Sequence, residues 1–504
     1  MLLLALVLAP LAAALIVAFA HGGDDERAGA ATWRLALLLA LLIAGGSLAV
    51  LLGHGGTLAV PWWRIPGTNA IIHLRLASDG LSAWLAALVA WLMPVALLAA
   101  RGEAGGRMRE YAAALFAAEA AMLGALFARD LALFAFCYEA MLIPVVVVLA
   151  LFGGYERRSA ALWFVLMTML GSVPMLIAVW AIAAETGTTA FNEAAAALRA
   201  GKLDAATLEW WFWAFALAFA VKIPLVPLHA WQARTYAELP AGAGVLVAGA
   251  MAKLGLYGFL AIVLPLFPAL SREQAPLFLL LGTLGAVGGA VVAFAQEDAK
   301  RLIAYASLSH LGLTAAGVFS LQAAAIDGAT VQMIAHGLST AALFVLVGAL
   351  EQRTQSPYLD DHGALARRAP WFATLLVLSV LATAALPGTA NFAGEFLLLM
   401  GLWQRDPWWA AIAGLSVVLG AGYLLILVQK WCFGEAPEGR AEVSDLLPRE
   451  VLAVVPLLLG ALWFGFQPGL IARHAGADAN ALCEPARATQ PAASATTSPS
   501  EERR

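Results

Sequence analysis

The sequence predicts an all-α polytopic membrane protein with about 14 transmembrane helices, and three observations support this fold class. Of the 504 residues, 62% are hydrophobic and only 12% are charged, a balance that is not typical of soluble domains. Apolar runs of roughly 20 residues, the length that crosses a bilayer core, recur along the whole chain. Two of these runs are interrupted by proline and glycine, which is typical of the broken helices of transporters.

The apolar runs define the predicted spans in order along the chain. The first run begins at Met1 without a basic segment, so we interpret it as a retained span and not as a signal peptide. The predicted spans are 2–20, 35–53, 78–100, 111–128, 131–152, 160–184, 207–231, 242–266, 276–295, 301–319, 329–350, 370–403, 408–432 and 450–467.

The distribution of lysine and arginine between the loops predicts the orientation of the chain. Loops and span ends that follow odd-numbered spans hold sixteen basic residues, against eight on the opposite side. Because basic residues concentrate on the cytoplasmic side of membrane proteins, both termini are expected outside the cytoplasm. In a bacterium, this arrangement predicts a multi-pass protein of the cell inner membrane with both termini on the periplasmic side.

Other segments are polar or carry isolated cysteines. Residues 185–210 form a polar connection with helical spacing, which we expect to lie at the outer interface. Residues 475–504 are rich in Ala, Ser, Thr and Pro and are predicted to form a disordered tail. The cysteines Cys137, Cys432 and Cys483 are far apart, a spacing that indicates neither a disulfide framework nor an iron–sulfur or zinc site.

The two interrupted spans predict an internal repeat. The seventh span contains Pro224 and Pro227, and the twelfth contains Pro387 and Gly388. Each is the fourth helix of a five-helix unit if the units are spans 4–8 and 9–13, and units with an odd number of spans must be inverted relative to each other. The predicted regions are 1–110 with spans 1–3, 111–266 as the first five-helix repeat, 276–432 as the second repeat, 433–474 with the last span, and 475–504 as the tail.

Charged residues inside the spans are the candidate functional groups. The chain has five lysines against twenty-four arginines, yet both cations placed deep in spans, Lys222 and Lys253, are lysines. A desolvated lysine can release its proton near neutral pH, whereas arginine cannot. Glu139 and Glu395 complete the series, although a charged group inside a span costs about 2.5–3.5 kcal/mol. The series predicts proton carriers, with a structural ion pair between Glu139 and Lys222 as the alternative.

Two histidines extend this series. His310 and His336 fall in adjacent spans between the two breaks, where a relay from Lys253 to Glu395 needs titratable groups. A hydrogen-bonded packing role is the alternative for a single histidine in an apolar span. We favour such a structural role for His229, which follows the first break directly.

These residues lie in motifs that resemble those of a known family, the antiporter-like subunits of respiratory complex I and of the multisubunit cation/proton antiporters. The resemblance covers roughly residues 75–435. Within the family, the M-type subunit resembles the sequence best, because its final half-channel residue is a glutamate, as Glu395 is here. The motifs, in family order, are EAMLIP, KIPLVPLHAW with VLVAGAMAKLGLYG, QEDAKRLIAYASLSHLG, HGLSTAALFVLVGALEQRT and LPGTANFAGEFLLLMG.

The resemblance implies a proton-translocating subunit of an NADH:quinone oxidoreductase, a translocase whose redox chemistry lies outside this chain. It implies L-like and N-like antiporter subunits as neighbours in the lipid bilayer, and no nucleic acid. It also implies that NADH, FMN, iron–sulfur clusters and quinone belong to partner subunits, with no cofactor or metal in this chain. The proton-handling roles carry over to Glu139, Lys222, Lys253, His310, His336 and Glu395.

Two other functions stay open at this point. The chain could serve a multisubunit Na⁺/H⁺ antiporter or a membrane-bound hydrogenase, or it could be an inert membrane scaffold, which need not have kept so many costly charges. The sequence also departs from the resemblance in one loop. Where the family usually has Leu-Pro-Asp-Ala-His, this chain has residues Gln232 to Tyr236, reading QARTY, so the role of their polar side chains is left open.

Overall fold

The computed structural model describes residues 1–20, 26–64, 66–67, 70–200, 204–436 and 443–488. These residues form a helical bundle with one two-stranded sheet. Eleven continuous helical segments of the described residues are long and apolar enough to cross a membrane. Shorter apolar helices cover Leu2–Ala18 and Pro370–Thr383. The predicted all-α polytopic fold class is therefore confirmed, and each of the fourteen predicted spans falls on one or more helices.

The α-helices follow one another along the chain with short connections. The first group is α1 (Leu2–Ala18), α2 (Glu26–Ala49), α3 (Gly80–Ala100), α4 (Met108–Phe127), α5 (Leu131–Ala140), α6 (Leu142–Phe152), α7 (Arg157–Thr186), α8 (Phe191–Arg199) and α9 (Ala205–Lys222). The second group is α10 (Ala230–Glu238), α11 (Ala241–Leu246), α12 (Lys253–Gly258), α13 (Leu264–Leu266), α14 (Pro268–Glu273), α15 (Ala275–Phe294), α16 (Ala299–Phe319) and α17 (Ala323–Thr354). The last group is α18 (Leu365–Arg368), α19 (Pro370–Thr383), α20 (Ala390–Arg405), α21 (Pro407–Val428), α22 (Pro448–Phe466), α23 (Gly469–Ile471) and α24 (Ala477–Ala488).

A β-hairpin between α2 and α3 is an element that the span analysis did not predict. Its strands, β1 (Thr57–Arg64) and β2 (Ile71–Ala77), pair antiparallel. Pro61 within β1 weakens the strand pattern in the sequence, since proline cannot donate a ladder hydrogen bond. The hairpin lies on the same face of the bundle as α8, the short helix found within the polar connection predicted at the interface.

Both predicted broken helices are present. The chain leaves helical geometry between α9 and α10 and again between α19 and α20. In each case a side chain of the second half bonds to a carbonyl of the first half. Trp231 Nε1 donates to Val221 O at 3.0 Å, and Asn391 Nδ2 donates to Ala382 O at 2.9 Å. These bonds satisfy backbone groups that a break would otherwise leave bare within lipid. The inversion of the two five-helix units stays a prediction.

The predicted disordered tail is wrong for residues 475–488. A π-helical turn over Ala472–Gly476 leads into α24, which packs against α13, α14 and α17. Ala479, Cys483 and Ala486 are spaced by four and three residues, so they form one narrow buried face. These side chains are small, so composition alone did not reveal the face. Residues 489–504 of the predicted tail lie outside the described residues.

Candidate functional site

The first break places Lys222 at the end of a half-helix. Pro224 disfavours helical geometry at the residue before it, so α9 ends at Lys222. The side chain is 1% exposed, and its Nζ has no hydrogen-bond partner within the described residues. It lies over the ring of Tyr138 at 4.6 Å from the centroid. The carbonyl end of α9 and the face of this ring both favour a cation.

Glu139 lies near Lys222 but does not form an ion pair with it. The two groups interact electrostatically, yet no contact of 4.0 Å or less joins them among the ion pairs of the described chain. Glu139 instead lines an apolar groove of about 880 Å³ on the outside of the bundle, together with Phe136, Ile143 and Trp180. The alternative of a purely structural ion pair therefore lacks the close contact that it requires.

Lys253 owes its side-chain hydrogen bond to a local change in helix geometry. A π-helical turn covers Val247–Met251, and the Ala252 amide donates to Val247 O, five residues back. In an α-helix, the Ala252 amide would donate its hydrogen bond to the carbonyl of Ala248, four residues back. That carbonyl accepts from Lys253 Nζ at 2.5 Å instead. The lysine is 1% exposed, so the widened turn supplies a polar partner where the surroundings are apolar.

Close packing brings the helices of the two lysines together. A Cβ added at Gly255 would lie 2.8 Å from Phe219 O and 2.6 Å from Ile223, so only glycine lets α12 approach α9 this closely. Lys253 begins α12 and Lys222 ends α9. The two predicted lysines therefore lie on adjacent helices.

The two histidines and Glu395 form a connected buried group. His310 Nδ1 lies 2.7 Å from Glu395 Oε1, and the rings of His310 and His336 are 5.5 Å apart between centroids. His336 Nε2 contacts Thr340 Oγ1 at 3.1 Å. Lys253 lies close enough to His336 to interact with it electrostatically. The order in space is therefore Lys253, His336, His310, Glu395, which reverses the predicted order of the two histidines, because His310 and not His336 contacts Glu395.

Each histidine of this pair has one ring nitrogen without a hydrogen-bond partner in the described structure. His310 Nε2 and His336 Nδ1 are buried and have no hydrogen-bond partner in the described structure. Each belongs to one of the two rings separated by 5.5 Å. A buried nitrogen without a protein partner can bond to an internal water molecule, and such a water can pass a proton on. The arrangement can therefore move protons without large side-chain motion.

Three polar residues around Glu395 were not singled out by the sequence. Gln332 Nε2 donates to Glu395 Oε1 at 3.2 Å and to Asn391 Oδ1 at 3.3 Å. Asn391 is the residue that bonds across the second break. Tyr423 lies close enough to the Glu395 carboxylate to interact with it electrostatically. Its buried hydroxyl has no hydrogen-bond partner in the described residues. Amide and hydroxyl side chains are common in membrane spans. Only their closeness to Glu395 in the structure distinguishes these three residues from the others.

The divergent segment after the first break forms a polar stripe. Gln232, Thr235 and Tyr236 lie on one side of α10, and each is almost fully buried with a side-chain polar atom that lacks a partner in the described structure. Helix α16, which packs against α10, carries a further unpartnered hydroxyl at Ser307, three residues before His310. Buried polar atoms of this kind are usually satisfied by internal water.

Another polar cluster lies on the face of the bundle opposite the hairpin. Lys300 is 4% exposed, and its Nζ lies 2.5 Å from Glu351 Oε2. Glu103 accepts from the Ala241 amide at 2.6 Å and the Gly242 amide at 3.1 Å, the first amides of α11. Burial raises the pKa of Glu103, although these amides and the charge of Lys300 act to lower it. Lys300 is thus a third buried lysine, which the sequence placed only at a span end.

Glu119 is a buried carboxyl that the sequence analysis missed. It lies in the middle of α4 with no exposed surface, and neither carboxylate oxygen has a partner among the described residues. The signal was the same as for Glu139, a carboxylate inside an apolar run, here LFAAEAAML.

Comparison with known proteins identifies a family that matches this chain. The family described as "NADH:quinone oxidoreductase/Mrp antiporter, TM" matches residues 128–420. The NADH-quinone oxidoreductase subunit M of Rhodobacter capsulatus is 35% identical over 476 residues, which cover 92% of each chain. The resemblance to M-type subunits found in the sequence is therefore confirmed.

Solved structures give the same fold. A chain of respiratory complex I from Thermus thermophilus with bound NADH superposes with a TM-score of 0.86 and 35% identity, covering 96% of this chain and all of that one. A chain of the Mrp complex from Dietzia sp. superposes with a TM-score of 0.81 at 21% identity, covering 96% of this chain and 97% of that one, a likeness that concerns the fold alone.

Proposed function

Because this chain belongs to the NADH:quinone oxidoreductase/Mrp antiporter transmembrane family, we propose that it is a proton-translocating membrane subunit of an NADH:quinone oxidoreductase. The observation that carries the proposal is the buried group of Lys253, His336, His310 and Glu395. Each member can bind and release a proton, and all four are nearly excluded from the surface. A structural core has no need of four such groups near one another, since each is costly to bury.

Protons enter the path from the cytoplasmic face through the first unit. The polar stripe of Gln232, Thr235, Tyr236 and Ser307 supports a hydrated section that leads toward His310. Protons then leave from Glu395 to the outside, with Gln332 orienting its carboxylate. This direction follows from the charge distribution, which favours periplasmic termini in a bacterial inner membrane.

Coupling to the rest of the complex runs through Glu139 and Lys222. Glu139 faces outward into the apolar groove, where an isolated carboxylate would be costly against lipid. A neighbouring antiporter-like subunit, of L or N type, covers this groove and senses the state of Glu139. Protonation of Glu139 removes its attraction for Lys222, so the lysine's proton becomes easier to release toward Lys253.

Electron transfer takes place in partner subunits, which bind NADH, FMN, iron–sulfur clusters and quinone. The alternatives, a subunit of an Na⁺/H⁺ antiporter or of a membrane-bound hydrogenase, share the fold. A 35% identity to an M-type subunit over nearly the whole chain favours the oxidoreductase. Finding flavin-bearing and iron–sulfur subunits in the purified native complex by mass spectrometry would separate these functions.

The test of transport is Lys222→Ala in the assembled complex. The ratio of protons pumped to NADH oxidised should fall, because the variant removes the carrier at the first break. Lys430→Ala is the matched control, since Lys430 is a half-exposed lysine whose Nζ contacts the exposed Asp360 at 2.6 Å. An unchanged ratio in Lys222→Ala would exclude this mechanism.

A further inference from the structure

A polar cavity opens on the hairpin face of the bundle, which the charge distribution predicts to be the outer face. Its volume is about 520 Å³, enough to hold several water molecules. The rim carries exposed residues such as Glu193 and Arg199 of α8. Arg129 and Tyr257 also line the cavity, and Tyr257 is fully buried. The cavity therefore extends from the surface into the first unit.

Arg129 closes the inner end of this cavity by tying three helices together. Its Nη2 donates to Asp79 Oδ2 at 2.7 Å and to Ser82 Oγ at 3.1 Å, at the start of α3. Its Nη1 donates to Leu126 O at 3.1 Å, at the end of α4, and to Tyr257 Oη at 3.0 Å, in α12. Tyr257 in turn donates to Leu126 O at 2.9 Å. The guanidinium is thus fixed by acceptors on two sides.

The position of Arg129 matters because of what lies behind it. Tyr257 and Lys253 are four residues apart on the same helix, so their backbones are separated by about 6 Å along the axis. Lys253 Nζ bonds back to Ala248, away from Tyr257. Tyr257 therefore lines the cavity one helical turn from Lys253, and its hydroxyl accepts a hydrogen bond from Arg129.

We propose that Arg129 is a charged plug that closes the outer side of the first unit, so that Lys253 exchanges protons with the relay and not directly with the outside. This inference rests on the proposed function. Asp79 pairs with Nη2, so the guanidinium repels a hydrated proton through its Nη1 side, which bonds to Tyr257, and it cannot itself pass a proton on, because it does not deprotonate. A neutral residue with the same hydrogen bonds would close the space but would not supply the repulsion.

The test measures passive proton leak in the intact complex reconstituted into liposomes without NADH. A potassium diffusion potential drives protons inward, and a trapped pH dye reports them. Arg129→Gln should leak on the order of tenfold faster than the unmodified complex, because the unit charge bound to the Tyr257 hydroxyl is lost. Arg199→Gln is the matched control, since Arg199 lines the same cavity but bonds only to Ala195 O of its own helix.

Two further variants decide between a plug and a loosened structure. Combining Arg129→Gln with Lys253→Ala should return the leak to the unmodified rate, because the leak is expected to pass through the lysine. Tyr257→Phe frees one side of Arg129 while keeping the ring, so it should leak at an intermediate rate even if Arg129→Gln fails to assemble. An unchanged leak in the assembled variants, or a leak that persists without Lys253, would overturn the proposal.

The proposed function is checked separately on the same liposomes. NADH-driven pumping should be lost in the Lys253→Ala complex. Unchanged pumping in that variant would refute the proposed proton path, whereas the leak of Arg129→Gln reports on the plug alone.

Discussion

His310 Nδ1 and Glu395 Oε1 are 2.7 Å apart, a contact that joins α16 to the second half of the second broken helix. Both side chains are buried, and Gln332 donates to the same carboxylate oxygen. The break between α19 and α20 places the Glu395 carboxylate next to α16, so that His310 can contact it. The contact thus links the backbone geometry of the break to the proton chemistry of the relay.

Glu395→Gln should stop transport while keeping the local packing. The amide has nearly the same shape and can still bond to His310 and Gln332, but it cannot take up and release a proton at neutral pH. We expect the protons pumped per NADH to fall strongly, with the complex still assembled, as measured in reconstituted liposomes. Glu395→Asp keeps a titratable group and should retain part of the pumping. Full pumping by the glutamine variant would remove Glu395 from the path.

Lys253→Arg should be as damaging as Lys253→Met. Arginine preserves the positive charge near Ala248 O but does not release its proton, whereas methionine preserves the approximate length without the charge. Both variants should lose nearly all proton transport in the same assay. If Lys253→Arg pumps normally, the lysine serves as a fixed charge and does not carry protons.

Gly255→Ala should weaken the packing of α12 against α9. The new methyl group would come within 3.0 Å of Phe219 O and Ile223, a clash that costs about 1–3 kcal/mol in a well-packed interior. The measurement is the temperature at which the purified complex loses this subunit, which should fall. Gly288→Ala is the control, because the space at Gly288 is open and the same substitution should leave that temperature unchanged or raise it.

Cys483 should resist thiol reagents in the native protein. The residue is fully buried in α24, and burial raises the pKa of its thiol to about 12. Since the thiolate is the reactive form, maleimide at pH 8 should label Cys483 only after denaturation. A cysteine placed at the exposed neighbouring position by Glu484→Cys should react readily. Rapid native labelling of Cys483 itself would mean that the tail is disordered from residue 475, as the composition predicts.

Much of the fold and of the site could be predicted because membranes impose simple rules. The need to bury each span in lipid makes its length and polarity visible, and Pro224 and Pro387 mark the breaks because proline removes a helix donor. Lys222 and Glu395 stand out because charge is rare in such runs. The four charged residues were named for this reason and the two histidines for their place between the breaks, and the structure brings four of these six residues close together.

Other features depend on contacts that no local pattern reveals. The π-helical turn before Lys253 consists of Val-Ala-Gly-Ala-Met, residues that also form ordinary helix, so only the surrounding packing selects the wider turn. Tyr423 and Gln332 gain their significance from the carboxylate that they face. The buried face of α24 is made of small side chains, whose fit is decided by the shape of their neighbours.

The backbone carbonyl that binds Lys253 has a further consequence for energy conversion. A carbonyl oxygen carries no titratable proton, and Ala248 belongs to the same continuous stretch of helix as the lysine. The stabilisation that it gives to the charged amine is therefore the same at every stage of a cycle, whatever the protonation of Glu139 or His336. On the proposed path, only the changing charges of its neighbours would therefore alter how readily Lys253 releases its proton.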